Sequence, residues 1–133
     1  MRTYNSVMLR GYLADDPEIK HTTTQKKVAT LVLTTRRKKM ENGEAKDHPD
    51  FHRLTVWQGM AETAEKYLHK GDAIEVFGEI HNDHYQGKDG KTKYVIEITV
   101  DRMDILGVKK GGKMEFAEGL FANREEEKTR EEK

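Results

Sequence analysis

Residues Asp50 to Trp57 read Asp-Phe-His-Arg-Leu-Thr-Val-Trp and alternate in type with a period of two. On a strand, that period puts His52, Leu54 and Val56 on one face and Phe51, Arg53, Thr55 and Trp57 on the other. A half-buried strand ordinarily gathers its large apolar groups on a single side. Here the aliphatic groups take one side, and two rings with an arginine between them take the other. A ring offers a flat surface on which any nucleobase stacks, and a nearby cation neutralises a phosphate. The chemistry expected of such a row is sequence-tolerant binding of an unpaired polynucleotide.

Other readings of these residues stay open at this level. Phe51 and Trp57 fit a core or a subunit interface as well, since large aromatics are usually well buried. Tyr85 sits beside a turn and fits an idle surface tyrosine. Arg36 to Lys39 also fits a solvated charge run. His52 reads equally as a satisfied core histidine or as an interface residue.

Reaction chemistry finds less support. His81, Asp83 and His84 invite a metal reading, but on a strand positions 81 and 84 point to opposite faces. Asp15-Asp16 stands before Pro17 as a turn signature, and Asp101 and Asp104 lack a partner cluster. No catalytic residue, metal or cofactor is expected, so the chain reads as a binder and not as an enzyme.

The 133 residues are 35% hydrophobic and 36% charged, enough for one small core and a tail. No apolar run of about 18 residues is present, so no membrane span is expected. Met1 to Asn5 lacks a signal-peptide pattern, and cysteine is absent, which excludes disulfides and thiolate zinc sites. An intracellular, cytoplasmic protein associated with the nucleoid is the expectation. The net charge is zero; residues 1–110 carry +2 and residues 111–133 carry −2. Any polyanion-binding surface must therefore concentrate its cations locally.

The elements that position the row follow from periodicity. Strands are expected at Ser6–Leu13, Lys27–Thr35, Asp50–Trp57, Asp72–Tyr85 and Lys91–Asp101. Ala29, Leu31 and Leu33 are the inward set of the second strand. Ile74, Val76 and Ile80 are that of the fourth, where Gly78 permits a bend or bulge. Arg36–His48 reads as a charged loop with Asn42-Gly43 at its tip. Met60–Leu68 switches to helical spacing, with Gly71 as its stop. Three strands, one short helix and two strands form the element order of the OB-fold: all-β, a five-stranded barrel that often binds oligonucleotides or oligosaccharides. That domain spans residues 1–108. Residues 109–133 read as a flexible charged tail, jointed at Gly111-Gly112, with Met114, Ala117, Leu120 and Phe121 as one apolar stripe of a short helix.

The order and spacing of further stretches extend this reading. They are Val7-Met8-Leu9-Arg10-Gly11-Tyr12-Leu13 with Asp16-Pro17-Glu18, Phe51-His52-Arg53-Leu54, Ala61-Glu62, Ala64-Glu65-Lys66-Tyr67-Leu68-His69-Lys70-Gly71, Val76-Phe77-Gly78-Glu79-Ile80, and Asp89-Gly90 before Tyr94. Over roughly residues 4–106 the chain resembles bacterial-type single-stranded DNA-binding proteins. The resemblance implies an OB-fold that self-associates, usually as a homotetramer. It implies coating of single-stranded DNA without sequence preference in replication, recombination and repair. Its stacking positions fall on Phe51, Trp57 and Tyr85, and a fourth ring position falls near Arg37, where this chain has a cation. His52 matches a histidine that supports subunit association. The candidate phosphate contacts are Arg10, Arg36, Arg37, Lys38, Lys39, Arg53, Lys88, Lys91 and Lys93. The family's acidic tail with an apolar tip has no counterpart in the closing Arg-Glu-Glu-Lys, so recruitment of repair enzymes by that route is not expected. An RNA-binding or primosome-type accessory module, and a structural oligomer with weak nucleic-acid affinity, are the alternatives.

Overall fold

The computed structural model describes residues 1–110 and 113–116. Strands β1 (Val7–Leu13), β2 (Glu18–His21), β3 (Lys27–Glu41) and β4 (Glu44–Trp57) precede helix α1 (Gly59–Tyr67). Strands β5 (Ala73–Gln86), β6 (Thr92–Lys110) and β7 (Lys113–Phe116) follow it. Backbone pairing runs β1–β5–β6–β4–β3 and returns from β3 to β1 through Tyr12↔Thr34 and Leu13↔Leu33. This circuit of five strands is the OB-fold barrel, and its members are the five strands expected from the sequence. The β4–β6 pair is parallel. The short strands β2 and β7 pair with β3 and β6.

Alternation decides what faces inward. Leu13, Leu31, Leu33, Leu54, Val56, Ile74 and Val76 are buried in one continuous cluster with Ile98 and Val100. Helix α1 packs there through Ala61 and Ala64, whose small side chains let it lie close, and Leu68 follows them into the core. The buried Asp72 carboxylate ties the strand ends together by accepting from the backbone N–H of His69 and of Lys109, each at 2.9 Å.

Several expectations need correction. Arg36–His48 is not a loop: β3 and β4 stay paired out to Glu41↔Glu44, and Asn42 and Gly43, both left-handed, make the two-residue turn. The ribbon beyond the barrel has solvent on both sides, so no apolar alternation marks it. Ile80 is exposed, because past the register shift at Phe77/Gly78 β5 runs on toward the open end of the barrel, where the core stops. Tyr94 and Ile96 project there too, while Ile98 and Val100 on the same face are buried. The helix ends at Tyr67 with Leu68 extended; Gly71 shapes the next turn instead, where its N–H reaches the Leu13 carbonyl at 2.8 Å. Strand β6 runs to Lys110 and pairs with β7, so Lys113–Phe116 is strand where a helical stripe was expected. Ala117, Leu120 and Phe121 of that stripe lie outside the described residues.

Candidate nucleic-acid interface

The ladder between β3 and β4 sorts every side chain of the two strands. Trp57, Thr55, Arg53 and Phe51 stand opposite Val28, Thr30, Val32 and Thr34. All of these lie on the outer face, because Ala29, Leu31, Leu33, Leu54 and Val56 fill the inner one. Phe51 is 65% exposed and Trp57 38% exposed, so both rings are open to solvent. Six strand rises separate them by roughly 20 Å. Thr55, between Arg53 and Trp57 on this face, is buried.

Tyr85 joins the same face through β6. Arg53 and Thr55 of β4 neighbour Glu97 and Thr99 of β6, and Tyr85 of β5 pairs with Lys93 of β6. Lys93, Glu97 and Thr99 share one side of β6, so Tyr85 lies on the continuation of the outer face. It is 58% exposed and lies roughly 12 Å from Phe51 by strand spacing and rise. Three rings from two strands that are distant in sequence therefore share one surface.

The cations divide between two faces. On the ring side of the ribbon, Arg36 and Lys38 alternate with Thr34; Arg37 and Lys39 point to the other side. Arg37 Nε donates to the Asp50 carboxylate at 2.8 Å, and Lys38 Nζ lies 2.7 Å from Asp47. The Lys38 hydrogen bond, helped by Arg36, holds the Asp47 carboxyl below the usual carboxylate range. Arg10, on the outer face of β1, is engaged by Glu75 at 2.6 Å. Lys93 is 4.0 Å from Asp89 in the β5–β6 turn, which also carries Lys88 and Lys91. Among the described residues, Arg36 and Arg53 have no ion-pair partner.

Acidic side chains on this face were not part of the sequence reading. Glu97 stands in register with Arg53, and Asp83 and Glu79 lie on the same side of β5. The signal that could have found them is the parity of β5 and β6 once Tyr85 is taken as outward. His81 and His84 face opposite sides; His81 approaches Glu79 at 3.6 Å, and His84 lies beside the Tyr94 ring.

His52 is on the inner face near the open end of the barrel, with its Nε2 2.8 Å from the Thr35 hydroxyl. Extending the β4–β6 register by one residue puts it beside Ile96. Ile80 is the Cα partner of Ile98, so Ile80, Ile96 and Tyr94 form an exposed apolar strip along this end. Asn5 closes the strip's edge by exchanging two hydrogen bonds with the Ile80 backbone, at 2.7 and 3.0 Å.

Against known proteins, residues 4–106 match the model of the single-strand binding protein family. The chain belongs to that family. A single-stranded DNA-binding protein of Xylella fastidiosa is 36% identical over 112 residues, covering 84% of this chain and 68% of the relative. Single-stranded DNA-binding protein 3 of Listeria innocua is 34% identical over 125 residues, covering 94% and 75%. The chain spans only 59% of the Xanthomonas axonopodis relative, at 35% identity. Among solved structures, a Plasmodium falciparum single-strand binding protein in complex with single-stranded DNA matches with a TM-score of 0.68 and 29% identity, over 78% of this chain and 94% of that one.

The family match ends at residue 106, so the pairing of late β6 with β7 lies outside it. The matched segment holds all three outward rings and every candidate cation. Alternation pointed to Phe51 and Trp57, because it reports facing directly, whereas Tyr85 came from the family resemblance. Alternation did not find the split of Arg36–Lys39 between two faces, because a run of four cations carries no apolar marker of phase.

Proposed function

We propose that this chain binds single-stranded DNA without sequence preference and protects it during replication, recombination and repair. The observation that carries this reading is the shared outer face of Phe51, Trp57 and Tyr85 with Arg53 among them. Each stacked base contributes about 1–3 kcal/mol whatever its identity, so three platforms supply affinity with no reading of sequence. Arg53 and Arg36 neutralise phosphates directly. Lys38, Lys93 and Arg10 do so by exchanging an internal carboxylate for a phosphate, which limits their contribution and suits a chain of zero net charge. The chain acts as a binder with no catalytic step, its work follows exposed DNA at the nucleoid, and residues 1–108 carry the activity.

Self-association uses the apolar strip Ile80, Tyr94 and Ile96, with His52 at its margin, in a homotetramer. A second copy covers the strip and leaves the rings free.

Fluorescence anisotropy with labelled oligo(dT), an RNA homopolymer and duplex DNA tests the reading. The expected order has oligo(dT) far tighter than duplex and tighter than RNA, and the bound oligonucleotide stays intact with magnesium present. Preference for RNA moves the function to an RNA-binding module. Absence of binding to all three leaves a structural oligomer.

A further inference from the structure

Tyr12 is an outward ring on β1, apart from Phe51, Trp57 and Tyr85. On β1, Leu9 and Leu13 turn toward the core, and Met8, Arg10 and Tyr12 turn outward. Tyr12 is the Cα partner of Thr34, and Thr34 is the Cα partner of Phe51. The three residues form one row across β1, β3 and β4, which puts Tyr12 about 10 Å from Phe51, two strand spacings away.

We propose that Tyr12 is a further base-stacking platform, so that the bound strand passes from β4 over β3 onto β1. This rests on the reading that Phe51 and Trp57 receive bases, and it extends their face by one strand. Tyr12 is 42% exposed, slightly more than Trp57. Among the described residues it makes no ring–ring or cation–π contact that would occupy its face. The residue between the two rings is Thr34, half-buried and short, so no bulky side chain walls one ring from the other.

Gly11 makes the row possible. A Cβ built at position 11 would stand 2.2 Å from the Thr34 carbonyl oxygen, closer than any side chain tolerates. The missing Cβ lets β1 close against β3 at this point and brings Tyr12 alongside Thr34. Cations flank the path as a phosphate chain requires. Arg36 follows Thr34 by two residues on the same face with no ion-pair partner among the described residues, and Arg10 precedes Tyr12 by two, held on Glu75. The ligand class is an unpaired nucleobase, and the ring accepts any of the four.

The test places tryptophan by Tyr12→Trp in a Trp57→Phe background, so that one indole reports on position 12. Oligo(dT) is expected to quench it, and Tyr12→Ala in the otherwise unchanged chain is expected to weaken oligo(dT) binding about fivefold or more. Tyr12→Phe, which keeps the ring, separates loss of stacking from loss of folding: binding weakened as much as by Tyr12→Ala overturns the proposal. So does an unquenched reporter at position 12 while wild-type Trp57 is quenched by the same oligonucleotide. So does a Tyr12→Ala chain that binds normally but sediments at a lower mass, which assigns the ring to self-association. Absence of quenching in the wild-type chain counts against the parent reading of the outer face.

Discussion

Arg37 and Asp50 meet at 2.8 Å on the side of the β3–β4 ribbon away from Phe51, while Arg36, one residue earlier, lies on the ring side without an ion-pair partner among the described residues. Two adjacent arginines thus differ in facing and in occupancy. Arg36→Ala is expected to weaken oligo(dT) binding severalfold at 0.1 M salt and to lower the salt slope by about 0.7, the share of one phosphate on a single strand. Arg37→Ala should change both by much less. Titrations across a salt series check this, and equal losses for the two would contradict the facing assignment.

Asp47 is the ring face's own competitor for Lys38, at 2.7 Å. Asp47→Asn is expected to tighten oligo(dT) binding about two- to fivefold at low salt, with the gain shrinking as salt screens the charges. Glu44→Gln makes the same change in net charge on the opposite face of the ribbon and should do less. The ion pair also carries a pH signature. The folded Asp47 carboxyl is depressed, so the pair's contribution is complete above the ordinary carboxylate pKa of about 4 and is lost as pH falls through the lower folded value. An NMR titration of the Asp47 carboxyl reads this directly; a midpoint at or above the ordinary value would contradict it.

How much of this was visible beforehand depends on what each residue touches. Leu31, Leu33, Leu54 and Val56 alternate because one face of each strand meets the core, so that the outward rings could be read from the same period. The ribbon at residues 36–49 meets no core on either side, and only the Asn42-Gly43 turn betrayed it. Ile80 was assigned the correct side of its strand, but its burial depends on where the barrel ends, which periodicity does not contain. The Tyr12–Thr34–Phe51 row depends on pairing between segments far apart in sequence, so no local pattern announces it.

Gly78 sits at the β5 register shift, and a Cβ there would stand 2.1 Å from the Thr99 carbonyl oxygen. Gly78→Ala is expected to cost about 3 kcal/mol, since backbone and not a flexible side chain has to give way. Gly43→Ala at the ribbon tip meets open space and suffers only its left-handed φ of 80°, about 1 kcal/mol. Urea denaturation of both variants checks the contrast, and similar midpoints would contradict it.

The apolar strip predicts its own variant. Ile96→Glu puts a charge beside His52 and Ile80 at the open end of the barrel and should shift the sedimentation mass toward the monomer while the fold persists by circular dichroism. An unchanged assembly mass would place the interface elsewhere.

Trp57 is the chain's single tryptophan and stands at one end of the ring row, so its emission reports on that surface alone. Titration with oligo(dT), repeated at high salt where phosphate contacts are screened, is the most direct measurement of whether those rings receive bases. Strong quenching that survives, at higher oligonucleotide concentration, in high salt is the predicted result. An emission that oligo(dT) leaves unchanged while the oligonucleotide is bound would contradict it.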